Sequence, residues 1–214
     1  MKVGILGSGQ VGQALGRGLV ARGHEVKMGS REKNNEKGAG WAKKEGARAS
    51  TGDFGEAARF GEMLMLATLW TGTENALRMA GAENLAGKVL MDVTNPLKAV
   101  PGAMPVLAVG LTDSGGESVQ RWAPKARVVK AFNSVGFMHM VDPQIPGGPP
   151  SMFICGNDAS AKEKVGEIVK SFGWEVVDVG GIVEARDLEP LCTLWLAYGA
   201  KTNTWGHAFK LLRK

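Results

Sequence analysis

The segment Val3-Gly-Ile-Leu-Gly7-Ser-Gly-Gln-Val-Gly12 limits what this chain can fold into more than any other stretch. A short apolar run, Val3 to Leu6, enters glycines spaced G-x-G-x-x-G. Val11 to Arg22 then carries Val11, Leu15, Leu19 and Val20 at helical spacing, and Gly23 closes the run. Glu25 to Met28 alternates as a second strand, so a strand-helix-strand unit fits within the first thirty residues. A parallel sheet follows, because the helical crossover brings the chain back to the end of the sheet it left. In such a unit Gly7 permits the tight turn, Gly9 lets the main chain approach a pyrophosphate, and Gly12 allows the helix to pack closely on the strand. The N–H groups at the helix start face the anion. Gly7, Ser8, Gly9, Gln10, Val11 and Gly12 are therefore the first candidate cofactor contacts.

The alternation of strand and helix persists. A Lys/Glu-rich helix around Asn35 to Glu45 precedes a short strand near Ala47, a helix from Asp53 to Phe60 and a strand at Met63 to Ala67. A helix at Thr73 to Ala80, a strand at Val89 to Val93, a helix at Glu117 to Ala123 and a sixth strand at Val128 to Phe132 follow. The fold class predicted is α/β: a Rossmann-type, doubly wound, mostly parallel sheet with a small C-terminal α/β subdomain. Asp142 to Pro150 is rich in proline and glycine and marks the linker, which divides the chain into a binding domain at 1–142 and a subdomain at 151–214. In the latter, Met152 to Cys155 and Trp174 to Val179 read as strands. A helix capped by Asp158 or Ser160 runs to Phe172, another covers Glu184 to Tyr198, and a short terminal helix is expected over Trp205 to Leu212.

Composition narrows the function. At 214 residues and 44% hydrophobic content the chain can bury a sizeable core, and its apolar runs are too short to span a bilayer. The formal charge of +5 comes from Lys and Arg scattered over helices rather than gathered in a stripe, which argues against nucleic acid and suits a cleft for a small anion. The N-terminus lacks the basic-then-apolar layout of a signal peptide. Cys155 and Cys192 show no CxxC spacing, so they read as core thiols, no metal site is expected, and a cytoplasmic location fits.

An NAD site would carry Asp or Glu at the end of the second strand, about 20 residues past the glycines, to bind the ribose 2′-OH. This chain has Gly29-Ser30-Arg31 there. A carboxylate would repel a 2′-phosphate, whereas the Ser30 hydroxyl and the Arg31 guanidinium can bind one, which points to NADP(H). Lys33 and Lys37 are weaker phosphate candidates, since each also reads as simple surface charge. Ligands on open α/β sheets lie outside the carboxyl ends of the strands, so Thr68 and Leu69, Asn95, and Asn133 are candidates to surround ribose and nicotinamide.

No catalytic acid or base stands out. Tyr198 has Lys201 three residues on, not the four of a Tyr-x-x-x-Lys dehydrogenase pair. His24 and His207 have no partner in sequence, and His139, just past the sixth strand, is a weak candidate for lining an acceptor pocket. Met138, Met140, Trp195 and Trp205 could wall a planar second cofactor or form core or dimer interface.

Ser30-Arg31, Asp92-Val-Thr-Asn-Pro96, Val128-Val-Lys-Ala-Phe-Asn133, Val177-Asp-Val-Gly180 and Glu184-Ala-Arg-Asp-Leu-Glu-Pro-Leu191 together resemble the NADPH-dependent F420 reductase family, nearly end to end. The Ala-Phe-Asn pattern is also similar to the NADPH-oxidoreductase domain of six-transmembrane ferric reductases. The resemblance implies a dimeric Rossmann protein with NADP contacts at Ser8 to Val11, at Ser30-Arg31 and after the sixth strand up to Phe137. The archaeal coenzyme-reducing members carry His where Asn133 stands here. The reaction implied is hydride transfer between NADP(H) and a small-molecule acceptor, a deazaflavin (coenzyme F420), with nicotinamide and acceptor rings stacked and no side-chain acid required. A flavin, ferric-chelate or small carbonyl/imine reductase and a non-catalytic NADP-binding sensor are the competing readings.

Overall fold

The computed structural model describes residues 1–214. The elements are β1 (Lys2–Leu6), α1 (Gln10–Ala21), β2 (Glu25–Ser30), α2 (Glu36–Glu45), β3 (Ala49–Asp53), α3 (Phe54–Phe60), β4 (Met63–Leu66), α4 (Trp70–Ala80), α5 (Ala82–Leu85) and β5 (Val89–Asp92). There follow β6 (Leu97–Lys98), β7 (Val106–Leu107), α6 (Gly115–Trp122), β8 (Arg127–Lys130), β9 (Ser151–Gly156), α7 (Ala159–Ser171), β10 (Glu175–Asp178) and α8 (Ala185–Thr202). Eight strands form one sheet in the order β10-β9-β8-β5-β4-β1-β2-β3, a doubly wound Rossmann-type arrangement that is parallel except where β8 meets β9. Residues 151–214 thus contribute β9 and β10 to the edge of the same sheet.

The two faces of the sheet can be read from alternate residues. Val3 and Ile5 of β1, Met63 and Met65 of β4 and Met91 of β5 fall in one buried cluster, with Leu15 and Leu19 of α1 and Val165 and Val169 of α7. The intervening Leu6, Leu64, Leu66 and Leu90 fall in the other, with Ala57 of α3, Leu77 of α4 and Leu188 of α8. A period of two with both phases apolar is what helices on both faces require, each such side chain contributing roughly 1.5–3 kcal/mol of burial. At Gly4 a Cβ would come within 2.2 Å of the Ala57 carbonyl, so glycine there lets α3 settle directly on β1.

Two expectations need correction. No helix covers Trp205 to Leu212: this tail runs extended beside β9, with the Phe209 carbonyl accepting from Ser151 N–H at 2.9 Å and the Leu211 N–H donating to Ser151 Oγ at 3.1 Å. These bonds to Ser151, at the start of β9, stand in place of the helix that the spacing of the apolar residues suggested. The third strand begins at Ala49 rather than near Ala47, and the β6–β7 hairpin, two residues per strand, is too short to leave a period.

A charge cluster closes the carboxyl end of the central strands. Lys130, the last residue of β8, is wholly buried, and its three N–H groups meet Asp92 Oδ2 at 2.8 Å, the Thr94 carbonyl at 3.1 Å and Glu189 Oε1 at 3.0 Å. Burial opposes the charge on Lys130, but Asp92 and Glu189 more than offset it, and its pKa is raised. Asp92 Oδ1 also accepts from the Thr94 N–H and Oγ1–H at 2.9 and 2.7 Å. The two Glu189 oxygens accept from the Gly115 and Gly116 N–H groups, each at 2.9 Å, where the N-terminus of α6 stabilises negative charge. Removing one partner from a buried pair leaves an uncompensated charge. Lys130→Met is expected to lower unfolding free energy by about 3–5 kcal/mol in chemical denaturation, and a loss below about 1 kcal/mol would show that the cluster is not charged as described.

Candidate cofactor site

Strand order reverses between β1 and β4, which makes the carboxyl ends of these two strands the crevice of the sheet. The glycines of the first turn differ in what they answer to. Gly7 has φ +135° and a Cβ there would lie 2.3 Å from the Ala67 carbonyl; a Cβ at Gly12 would lie 2.1 Å from the Gly7 carbonyl. Both are demanded by the protein's own packing. Around Gly9 nothing lies within 4 Å of a Cβ, so the protein itself does not require glycine there, and the open space is on the exposed side. The turn is tied to β2 by the Gly7 N–H donating to the Gly29 carbonyl at 3.0 Å, and Gln13 Nε2–H donates to the Ser8 carbonyl at 3.0 Å. Asn35, Asp53, Ser114 and Asp158 side chains cap α2, α3, α6 and α7, whereas α1 has no side-chain cap. Its first N–H groups, at Gln10, Val11 and Gly12, are left for an outside acceptor.

Ser30 ends β2 and is buried, its hydroxyl donating to the Glu32 carbonyl at 2.5 Å, and Arg31 beside it is exposed. Lys33 is already engaged: its ammonium donates to Glu56 Oε1 at 2.5 Å, a hydrogen bond that raises the lysine pKa and lowers the glutamate pKa. Lys37 is exposed on the first turn of α2. Sequence reading passed over Glu56, although Asp-x-x-Glu ahead of a helix is a recognisable capping signal.

At the end of β4, Thr68 Oγ1 pairs with Thr73 Oγ1 at 2.9 Å, and Leu69 stands 85% exposed at the uncapped start of α4. Asn95 Nδ2–H donates to the Asn133 carbonyl at 2.9 Å while its Oδ1 is buried without a partner, an acceptor that the protein leaves unused. The Asn133 side chain is 2% exposed and donates to the Leu188 carbonyl at 2.6 Å, so its amide N–H braces α8. Before it, Phe132 holds φ +58°, a left-handed conformation that costs a bulky residue about 1–3 kcal/mol and is fixed by its ring packing against Phe172 and Trp174. Phe137 packs partly buried against the core.

The remaining candidates gather elsewhere. His139 lies on a one-turn 3-10 helix with its ring against Gly206 of the tail. Trp195 stacks on His207 at 4.9 Å and lies 5.3 Å from Trp205; its indole N–H donates to the His207 carbonyl at 2.9 Å. Tyr198 meets His207 edge-on at 4.7 Å. Met140 is buried and Met138 exposed. His24 stands partly exposed near the N-terminus. Burial pushes the Cys155 thiol up to about 12 and the Cys192 thiol up to about 11, so neither is a ready nucleophile. No group of three or more His, Cys, Asp or Glu is placed to hold a metal ion, and no helix is long and apolar enough to cross a membrane. Sequence reasoning did not isolate Asp92, Lys130 and Glu189, though each sits in a different one of the motifs that carry the resemblance.

Comparison with known proteins agrees with this geometry. Residues 2–96, which include the glycine turn and Ser30-Arg31, match the profile of the family described as NADP oxidoreductase coenzyme F420-dependent. The chain is 30% identical over 191 residues to Metalloreductase STEAP3 of Rattus norvegicus, covering 89% of this chain but only 36% of the rat protein's length. It is 27% identical over 213 residues to the F420-dependent NADP reductase of Methanothermobacter marburgensis, covering 95% of this chain and 94% of that one. The crystal structure of a putative F420-dependent NADP-reductase from Arthrobacter sp. FB24 matches with a TM-score of 0.93 and 37% identity over the whole of both chains. The chain belongs to the NADP oxidoreductase, coenzyme F420-dependent, family, and it is an NADP-dependent oxidoreductase.

Proposed function

We propose that this chain binds NADP(H) across the carboxyl ends of β1, β2, β4 and β5 and exchanges hydride with a deazaflavin acceptor of the coenzyme F420 type. The open space before Gly9, at a helix start with no cap of its own, is the observation that carries the cofactor reading. Gly7 to Gly12 would hold the pyrophosphate and Ser30-Arg31 the 2′-phosphate. Thr68, Leu69, Asn95, Asn133 and Phe137 would border the nicotinamide half, the unpartnered Asn95 Oδ1 offering an acceptor to a ribose hydroxyl or carboxamide. Bound NADPH supplies hydride from nicotinamide C4. The chain's part is to orient the two rings and keep water away, and His139 is not needed as an acid.

The deazaflavin assignment is supported by the 37% full-length likeness to a putative F420-dependent reductase. A flavin or ferric-chelate acceptor is the second reading, favoured by the likeness to the rat metalloreductase. On this account residues 1–142 act as the binding domain and 151–214 as a smaller subdomain, in a cytoplasmic homodimer.

Gly9→Ala should weaken NADPH binding at least about 10-fold, by blocking close approach of the pyrophosphate, while leaving the thermal midpoint within about 2 °C. A calorimetric titration and a melt check both, and unchanged affinity would remove the phosphate from this turn. Arg31→Glu should cost NADPH about 2–4 kcal/mol of binding, roughly 30- to 1000-fold, and leave NADH within about 3-fold. Equal losses would end the assignment of Arg31 to the 2′-phosphate. For the acceptor, loss of the visible absorbance of oxidised F420 with NADPH, run beside FMN and a ferric chelate without oxygen, should be fast for F420 alone. Turnover of FMN or iron but not F420 would replace the deazaflavin reading with the second one.

A further inference from the structure

We infer that Lys33 sets preference for a 2′-phosphorylated cofactor without touching the phosphate: it cancels a carboxylate, Glu56, that the fold holds beside the phosphate site. This rests on the reading that Ser30-Arg31 receives the 2′-phosphate.

In the parallel β2–β3 pair, Ser30 stands beside Asp53, so the two strands end together. Asp53 caps α3 and forms a reciprocal capping box with Glu56: Asp53 Oδ1 accepts from the Glu56 N–H at 2.7 Å, and Glu56 Oε2 accepts from the Asp53 N–H at 3.1 Å. The Glu56 carboxylate also lies directly over Gly52, where a Cβ would come within 2.4 Å of Oε2, so the buried glycine of β3 makes its seat. Helix capping therefore fixes a negative charge at the strand ends where a dianionic phosphate is to bind. Lys33 answers it, with its ammonium on the one Glu56 oxygen that the capping box leaves free.

The asymmetry of exposure says which partner serves the other. The Glu56 side chain is 26% exposed and held by the backbone, while that of Lys33 is 66% exposed and held by Glu56 alone. A pair so open to solvent adds little to stability. Its consequence is electrostatic: the strand ends gather Arg31, Glu32, Lys33, Asp53 and Glu56, with Lys27 and Arg59 near enough to act on the pair, and loss of Lys33 makes them one charge more negative with the Glu56 carboxylate uncancelled. Uncancelled charge within a Debye length of about 10 Å at 0.1 M salt repels a phosphate dianion and leaves NADH, which has no such group, nearly unaffected.

The test is a double-mutant cycle on the full chain, measuring NADPH and NADH dissociation constants at low salt for the wild type, Lys33→Met, Glu56→Gln and the double variant. Gln at this position preserves the capping box, so the fold should persist, and a thermal melt verifies it. Lys33→Met should weaken NADPH about 5- to 10-fold with NADH unchanged, and the double variant should return to within about 2-fold of wild type. The deficit should shrink as salt is raised. No loss in Lys33→Met, or a loss that Glu56→Gln fails to restore, overturns the inference; the second result would mean direct contact with the phosphate. Arg31→Glu measured alongside separates the levels: loss there without rescue in the double variant refutes only the shielding, whereas unchanged NADPH preference in Arg31→Glu refutes the site reading and the shielding with it.

Discussion

An ammonium group taken wholly out of water must be matched by charge and by hydrogen-bond acceptors, and the way Lys130 is matched determines where four segments end. Its partners come from β5, from the loop after β5 and from the start of α8, and Glu189 passes the constraint on to α6 through the Gly115 and Gly116 N–H groups. Buried ion pairs often add less stability than apolar packing would, but they accept few geometries. A Cβ at Gly115 would lie 2.9 Å from Glu189 Oε1, so even the backbone here is cut to the carboxylate. The neighbouring residues Asn95 and Asn133, joined by their own hydrogen bond and anchored to Leu188, are placed by that framework.

The other half of the crevice is organised by main-chain groups rather than by buried charge. The start of α1 leaves N–H donors unclaimed and the space before Gly9 empty, while Gly7 and Gly12 answer to contacts within the protein. Charge gathers at the tips of β2 and β3, where Lys33 pairs with Glu56 and Arg31 stands exposed, and on the proposed reading it discriminates between cofactors without holding the fold together. On the proposed binding mode, the division suits an oxidoreductase whose side chains do little chemistry: buried ionic contacts fix the residues around the nicotinamide, and main-chain donors with exposed charge meet the phosphates.

Much of this was legible in the sequence because it follows from local rules. The strand-turn-helix signal of Val3 to Arg22 needs only neighbours in sequence, and apolar runs such as Met63 to Leu66 and Val89 to Met91 fit strands covered on both faces. That β2 ends on Ser30-Arg31, with no acid at the strand end itself, could be read from three residues. What escaped was set by contacts between distant segments. Lys130 lies 38 residues from Asp92 and 59 from Glu189, and no periodicity places a lysine at a strand end inside a core. The tail from Trp205 carries helical spacing yet bonds to Ser151 at the start of β9, a contact more than fifty residues back along the chain. The left-handed turn at Phe132 has no glycine to announce it. Lys33 was visible as a cation, but its partner Glu56 could be found only once β2 and β3 were seen to end side by side.

As proposed, the cofactor spans the sheet from the tip of β2 to the end of β8, with its phosphates on main-chain donors and on Arg31. A crystal structure of the chain grown with NADPH tests this most directly. Pyrophosphate density is expected over Gly9 at the start of α1, the 2′-phosphate on Ser30 and Arg31 with the Lys33–Glu56 pair intact, and the nicotinamide beside Asn95. A cofactor seated elsewhere, or a 2′-phosphate turned away from Arg31, would contradict it.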